Sequence, residues 1–208
     1  MQPVTRKPRF KVLSVAFLCG ACACVSFATA ARADDSESLK KTFDSGVAAY
    51  DAGNYAQAFR IFKSIDDEDL AAMRNVALML RRGQGVAKDP KAAEEEYLRA
   101  ANGGLATAAA DLGEMLMNGE AGAPDPEGAV PWLTLAAAAH HPIAAYELGE
   151  LYESGRGVTK DIEVARQLYT EAAASGVPGA KERLAALPPP ADNAPAPSTP
   201  AGGTNPTQ

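Results

Sequence analysis

A unit of 36 residues recurs in register along this 208-residue chain, and this period restricts the possible folds more than any other feature. The clearest sign is a turn that occurs twice, as GQGVAKD at 83–89 and as GRGVTKD at 155–161. The window 108–143 fits the same period with an altered turn, in which the second glycine moves one place to Gly122. Self-similarity at a fixed period predicts a repeat architecture in which each unit packs on its neighbours.

Each unit is predicted to form two helices joined by a short turn, because apolar residues recur at helical spacing on both sides of it. Gly155 follows the first stripe, where a left-handed residue ends a helix, and Asp161 precedes the second, where its side chain can cap free amides. Gly113 and Gly149 fall within first helices, where glycine costs about 1 kcal/mol relative to alanine. We therefore expect a neighbouring helix to approach closely there, with the Ala-Ala pairs of the second helices supplying small surfaces.

The sequence does not indicate chemistry at the turns. GQGVAKD lacks the third glycine of a dinucleotide site and the Gly-Lys-Ser/Thr of a phosphate loop. His140-His141 has no further ligand at helical spacing before it, so we expect the pair to interact with the negative end of the preceding helix rather than with a metal. Core packing is expected for aromatic residues of the second helices, namely Tyr97, Trp132 and Tyr169. No cofactor and no metal are expected.

The first 33 residues are typical of an export signal. Basic residues precede an apolar stretch at 12–30, and Ala31-Arg32-Ala33 has the small residues of a cleavage site before Asp34. Two alternatives stay open: a retained anchor, since the stretch is nearly long enough to span a bilayer, and a lipid on Cys22. The lipid is disfavoured because Cys19 stands where an apolar leucine is expected. All three cysteines lie in this segment, so the cleaved chain has no thiol.

Cleavage would leave 15 of the 20 basic residues against all 26 acidic ones, a formal charge of −11. Such acidity argues against nucleic acid and anionic lipid as partners. Membrane contact is therefore expected only through an uncleaved signal segment. The mature chain is predicted to be periplasmic or secreted.

The pattern A-x-x-x-L-G-x-x-Y-x-x-G-x-G-V-x-x-D-x-x-x-A-x-x-x-Y-x-x-A-A-x-x-G resembles the Sel-one-like repeat, a member of the tetratricopeptide superfamily. Residues 145–176 match it almost throughout, 73–104 have Val76-Ala77 in place of Leu-Gly, and 109–140 lack the second turn glycine. Residues 46–62, GVAAYDAGNYAQAFRIF, resemble a tetratricopeptide motif. The resemblance implies an all-α, right-handed α-solenoid of antiparallel helix pairs that binds proteins or peptides.

These patterns predict the organisation of the chain. The segments are a signal peptide at 1–33, a tetratricopeptide-like helix pair at 34–70, repeat units at 71–107, 108–143 and 144–179, a capping helix at 180–187 and a proline-rich tail at 188–208. The last 22 residues hold seven prolines and a single charge, so the tail is predicted to be disordered.

In solenoids of this kind the first helix of each pair lines the concave groove, which places the partner-binding residues there. The candidates are Phe43, Tyr50, Arg74, Arg81, Glu114, Met117, Tyr146, Glu150 and Glu153. Their order suggests an extended peptide with its acidic part near Arg74 and Arg81, its basic part near Glu150 and Glu153, and aromatic anchors. The alternative is ordinary solvated surface, with Phe43 packed on a neighbouring helix.

The expected function is that of a non-catalytic adaptor or regulator of an envelope process, which holds a protein or peptide partner. The alternative is a cell-envelope hydrolase, or its accessory subunit, that acts on peptidoglycan or polysaccharide. A cysteine-rich branch of the repeat family has been linked to hydrolase activity, but the mature chain lacks those cysteines. No Ser-His-Asp or paired-carboxylate arrangement supports an enzyme.

Overall fold

The computed structural model describes residues 21–190, with side chains described from Asp35 onward. This part of the chain forms helices α1 (Ala21–Asp51), α2 (Tyr55–Lys63), α3 (Leu70–Arg82), α4 (Pro90–Asn102), α5 (Ala106–Asn118), α6 (Pro126–Ala138), α7 (Pro142–Ser154), α8 (Ile162–Ala174) and α9 (Ala180–Ala186). None of these helices is long and apolar enough to cross a membrane. The basic residues of the predicted signal before residue 21, and the predicted tail after 190, lie outside the described residues.

Helix α1 continues through the predicted cleavage site at Ala33, and export and cleavage stay predictions. The chain divides into two compact units between Lys41 and Thr42, and the packing that follows is that of the second unit. Its helices form the pairs α3–α4, α5–α6 and α7–α8; α4 and α6 also pack on the first helix of the next pair, and α8 packs on α9. Stacking in chain order makes every pair depend on its neighbours for its core. The predicted all-α architecture of stacked helix pairs is confirmed.

The predicted helix ends are formed as the turn residues indicate. Gly155 has a φ of 75° and ends α7, and its amide donates to the carbonyl of Leu151 at 2.8 Å. The Asp161 carboxylate accepts hydrogen bonds from the amides of Glu163 and Val164, each at 3.0 Å, at the start of α8. The turn therefore acts as a connector between paired helices.

The glycines within first helices do allow close approach, but by large side chains rather than by the Ala-Ala pairs. A Cβ atom on Gly113 would lie 2.6 Å from the Leu133 side chain, and one on Gly149 would lie 2.8 Å from the Tyr169 ring. Leu133 and Tyr169 are fully buried and stand 36 residues apart, so they occupy the same core position. Trp132, which was expected in this core row, lies beside that position and is only half-buried.

The prediction that the two histidines interact with the end of the preceding helix was wrong. His140 stands at the left-handed turn position that glycine holds in the other units, with a φ of 59°. His141 precedes α7, where its Nδ1 accepts a hydrogen bond from the backbone amide of Ala144 at 3.3 Å. Burial lowers the pKa of His141, which favours the neutral ring that this acceptor role requires. The ring therefore caps the start of the next helix instead of the end of the previous one.

Two equivalent tyrosines differ in their hydrogen bonding. Tyr97 and Tyr169 are both fully buried. The Tyr169 hydroxyl donates to Oε2 of Glu153 at 2.7 Å, whereas the Tyr97 hydroxyl, although Arg81 is nearby, forms no hydrogen bond of normal geometry among the described residues. Arg81 lies two repeat periods before Glu153 and occupies the equivalent position. Its guanidinium binds carboxylates of other residues. The two tyrosines are equivalent in sequence, but their hydroxyl groups are therefore expected to contribute differently to stability.

Replacement of each tyrosine by phenylalanine should reveal this difference. We expect Tyr169→Phe to lower the free energy of unfolding by about 1.5 to 3 kcal/mol, because it removes a hydrogen bond to a charged acceptor. Tyr97→Phe should leave the stability unchanged or raise it slightly, because it removes an unsatisfied buried hydroxyl. Urea denaturation followed by circular dichroism measures both values. Equal losses in the two variants would contradict the assignment.

Candidate partner-binding face

The first helices α3, α5 and α7 present a common surface, here called the first-helix face. Its partly exposed side chains are Arg74, Arg81, Asp111, Glu114, Met117, Ile143, Tyr146, Glu147, Glu150 and Glu153. Helical spacing of three or four residues places the members from each helix on one side of it. The capping helix α9 adds Arg183, which reaches the carboxylates of α7.

Two clefts are lined in part by this face. One encloses about 440 Å³ between α3 and α5, and it includes Arg74, Arg81 and Glu114. The other encloses about 360 Å³ where α7 meets α9, and it includes Met117, Glu150 and Glu153. Six of the nine residues predicted from the sequence are therefore gathered into two depressions.

The two arginines of α3 bind carboxylates of the same chain. Nε of Arg74 donates to Oδ2 of Asp111 at 2.6 Å, and Nη1 of Arg81 donates to Oε2 of Glu114 at 2.9 Å. Nε of Arg81 also donates to Oε2 of Glu120 at 2.7 Å. This hydrogen bond raises the pKa of Arg81 and lowers that of Glu120, so both groups stay charged. An acidic peptide segment would have to displace these carboxylates.

The acidic end of the face is likewise supplied with a cation. Nη2 of Arg183 donates to Oε1 of Glu150 at 2.9 Å, and Nη1 lies 3.5 Å from Oε2 of Glu153. Arg183 lies on α9, within the capping helix predicted from the sequence. The structure shows that it links α9 to α7 across the place where the basic part of a peptide was expected.

The three aromatic candidates are half-buried and pack on other rings. The Phe43 and Phe62 ring centroids lie 5.5 Å apart, which matches the alternative in which Phe43 packs on a neighbouring helix. Tyr50 lies 5.0 Å from Tyr55, and Tyr146 lies 5.5 Å from Tyr169. The Tyr50 hydroxyl also donates to Oε1 of Gln84 at 2.8 Å. Each ring thus contributes to helix packing and is only partly exposed to a partner.

Glu147, like Asp111 and Ile143, is a member of the face that is not among the nine residues predicted from the sequence. It is half-buried on α7, and burial raises its pKa to about 7, with further contributions from Glu114, Glu150 and Asp111. The nearby cation Arg81 acts in the opposite direction but is engaged by Glu114 and Glu120. The signal that could have found Glu147 is its helical spacing, one turn after Ile143 and one turn before the predicted residue Glu150.

The raised pKa of Glu147 makes stability depend on pH in a defined sense. The carboxyl group of Glu147 keeps its proton up to about pH 7 in the folded state, whereas the unfolded chain releases it near pH 4.5. The contribution of this group to the free energy of unfolding is therefore full below pH 4.5 and is lost as the pH rises from 4.5 to 7. We expect Glu147→Gln to be more stable than the wild type by about 1 to 2 kcal/mol at pH 8, after allowance for solvent screening. At pH 4 the two proteins should unfold alike. Urea titrations at both values test this, and an equal difference at both would contradict it.

No group of three or more potential metal ligands occurs among the residues that the structure describes. Eight of the nine predicted binding residues are held by ion pairs or ring contacts, and Met117 is the exception.

The model of the Sel1 repeat matches this chain three times in succession, at residues 70–105, 106–141 and 142–177. These matches coincide with the pairs α3–α4, α5–α6 and α7–α8. A search of the curated proteins found no match.

Solved structures support the same assignment. A Sel1 repeat protein from Oxalobacter formigenes is 34% identical with a TM-score of 0.64, and the alignment covers 68% of this chain and 58% of that one. A protective antigen of uropathogenic Escherichia coli that displays an SLR fold is 27% identical with a TM-score of 0.66. That alignment covers 74% of this chain and 34% of the antigen.

A cysteine-rich protein from Helicobacter pylori, with 18% identity and a TM-score of 0.50 over 61% of this chain and 96% of that one, shares the fold alone. The chain spans 58% and 34% of the first two relatives, so their activities as whole proteins do not transfer directly. Sel1 repeat proteins generally mediate contacts between proteins, and the family is typically non-catalytic. Three consecutive matches over half of the sequence, on three stacked helix pairs, establish that the chain belongs to the Sel1 repeat family.

Proposed function

We propose that the protein is an exported, non-catalytic member of this family that holds a segment of a protein partner on its first-helix face. The observation that carries the proposal is the pair of clefts on this face, which together contain six of the nine predicted residues. Ile143, which is 55% exposed on the same face, adds an apolar contact that a partner can cover. The signal-like N-terminus supports a periplasmic or secreted location and a role as adaptor or regulator of an envelope process.

Site-specific photocrosslinking in intact cells tests this proposal. A photoreactive phenylalanine analogue at Ile143 or Met117 should give discrete protein adducts in the periplasmic or secreted fraction. The same analogue at Leu98 or Leu135, which are 39% and 43% exposed on second helices, provides a matched control and should give few. Adducts at the control positions alone would move the site to the other side of the repeats, and adducts in the cytoplasmic fraction alone would contradict the location.

A further inference from the structure

Charges on the first-helix face are arranged in pairs with one exception. Asp111 is bound by Arg74, Glu114 by Arg81, and both Glu150 and Glu153 by Arg183. Glu147 is the one carboxylate of this face, among the side chains that the structure describes, that neither accepts a hydrogen bond nor forms an ion pair. Its neighbours on α3, α5 and α7 are therefore neutralised within the chain, while Glu147 is not.

The cation that acts on Glu147 is already held by other carboxylates. Arg81, the cation that acts on it, already binds Glu114 and Glu120 and is only 15% exposed in its side chain. Asp111, Glu114 and Glu150 all disfavour the charge of Glu147. A positive group brought from outside would interact favourably with Glu147, and it would displace no existing ion pair.

The exposed side chain of Ile143 indicates which kind of cation would bind beside Glu147. It lies one helical turn before Glu147 on the same side of α7, and it is the most exposed large apolar residue among those described. A lysine or arginine side chain carries its charge at the end of an aliphatic stem that prefers to lie along apolar surface. Such a side chain could cover Ile143 with its stem and present its charged end to Glu147. A metal ion is a poorer fit, since no group of three potential ligands occurs among the described residues.

We propose that the partner inserts a lysine or arginine side chain between Ile143 and Glu147, so that this protein selects basic segments despite the ion pairs that fill the rest of the face. The inference rests on the proposed function, since it specifies the chemistry of a partner bound on the first-helix face. Recognition of charge is thereby assigned to Glu147, which was not among the residues predicted from the sequence. The sequence had suggested Arg74, Arg81, Glu150 and Glu153.

Selection from a random display library of linear peptides tests the inference. Peptides selected on the wild-type protein at pH 8 should be enriched in lysine or arginine at one position. Glu147→Gln should abolish that enrichment and weaken binding of a wild-type-selected peptide by about tenfold or more. Glu147→Lys should select aspartate or glutamate at the same position. Glu163→Gln, which alters an exposed carboxylate on α8, is the matched control and should select the wild-type pool.

The possible failures are distinguishable. If the wild-type protein enriches no peptides, the proposed function fails and the inference fails with it. If it enriches peptides whose basic residues persist with Glu147→Gln, the inference alone is overturned. Thermal unfolding of each variant, monitored before selection, ensures that a lost pool reflects recognition, and Glu147→Gln is expected to be at least as stable as the wild type.

Discussion

Replacement of Gly157 by alanine should lower the free energy of unfolding by about 3 kcal/mol, through a left-handed backbone and a steric clash acting together. Gly157 has a φ of 70°, and a Cβ atom there would lie 2.5 Å from the carbonyl carbon of Pro126 and from the amide nitrogen of Glu127. These atoms belong to the start of α6, in the preceding unit. Because the obstacle is backbone rather than a flexible side chain, the turn and the helix pair would have to separate.

A matched control isolates the clash from the backbone strain. Gly176 has a φ of 80° but no heavy atom within 4 Å of a Cβ, so Gly176→Ala should lose only about 1 kcal/mol. Gly122→Ala meets neither condition and should be neutral. Urea denaturation followed by circular dichroism measures all three. If Gly157→Ala and Gly176→Ala lose the same amount, the turn does not anchor one unit on the other.

Removal of Lys63 should have the second-largest effect. Its Nζ lies 2.6 Å from Oδ2 of Asp66 and 2.8 Å from Oε1 of Glu96, and the two carboxylate side chains are only 4% and 13% exposed. Lys63→Met keeps most of the aliphatic stem but leaves the buried Asp66 carboxylate without its cation, whereas Glu96 keeps its ion pair with Arg99 at 2.6 Å. We expect a loss of about 2 to 3 kcal/mol, below the value for a fully buried pair because Lys63 is half-exposed.

Two further variants test the cause. Lys41→Met removes an exposed pair with Glu37 at 3.6 Å and should change stability by less than about 0.5 kcal/mol. The double variant Lys63→Met/Asp66→Leu removes the buried charge as well and should recover part of the loss. Calorimetry gives the melting temperatures. A double variant no more stable than Lys63→Met would show that packing of the lysine stem, rather than the stranded carboxylate, accounts for the effect.

The sequence predicted the elements of the fold because helix ends depend on local chemistry. Gly155 is left-handed and Asp161 caps the next helix, as their places in the repeat indicate. The close approach at Gly149 could also be predicted, since a costly glycine requires a reason. The partner at that glycine could not, because the choice between an alanine pair and the Tyr169 ring depends on how two helices rotate against each other.

The candidate site was predicted by position but not by interaction. Counting along the repeat placed Arg74 and Arg81 on the first-helix face, but it did not reveal that carboxylates 33 to 39 residues away would bind them. Glu147 was missed for a related reason. Whether a carboxylate on a helix surface has a cation depends on side chains of the adjacent units and not on its own neighbours in sequence.

A period of 36, a glycine to end one helix and an aspartate to begin the next determined the repeat of helix pairs by themselves, because these signals act over a few residues and recur. The family followed from the resemblance of the whole repeat pattern to the Sel1 repeat. Only the tertiary structure decided that Leu133 and Tyr169 fill the spaces beside Gly113 and Gly149, that Arg183 reaches Glu150, and that Glu147 forms no ion pair with any side chain in the described part of the chain. These outcomes depend on the distances between helices of successive units. The repeated pattern alone predicts equal distances, but the different side chains of each unit make them unequal.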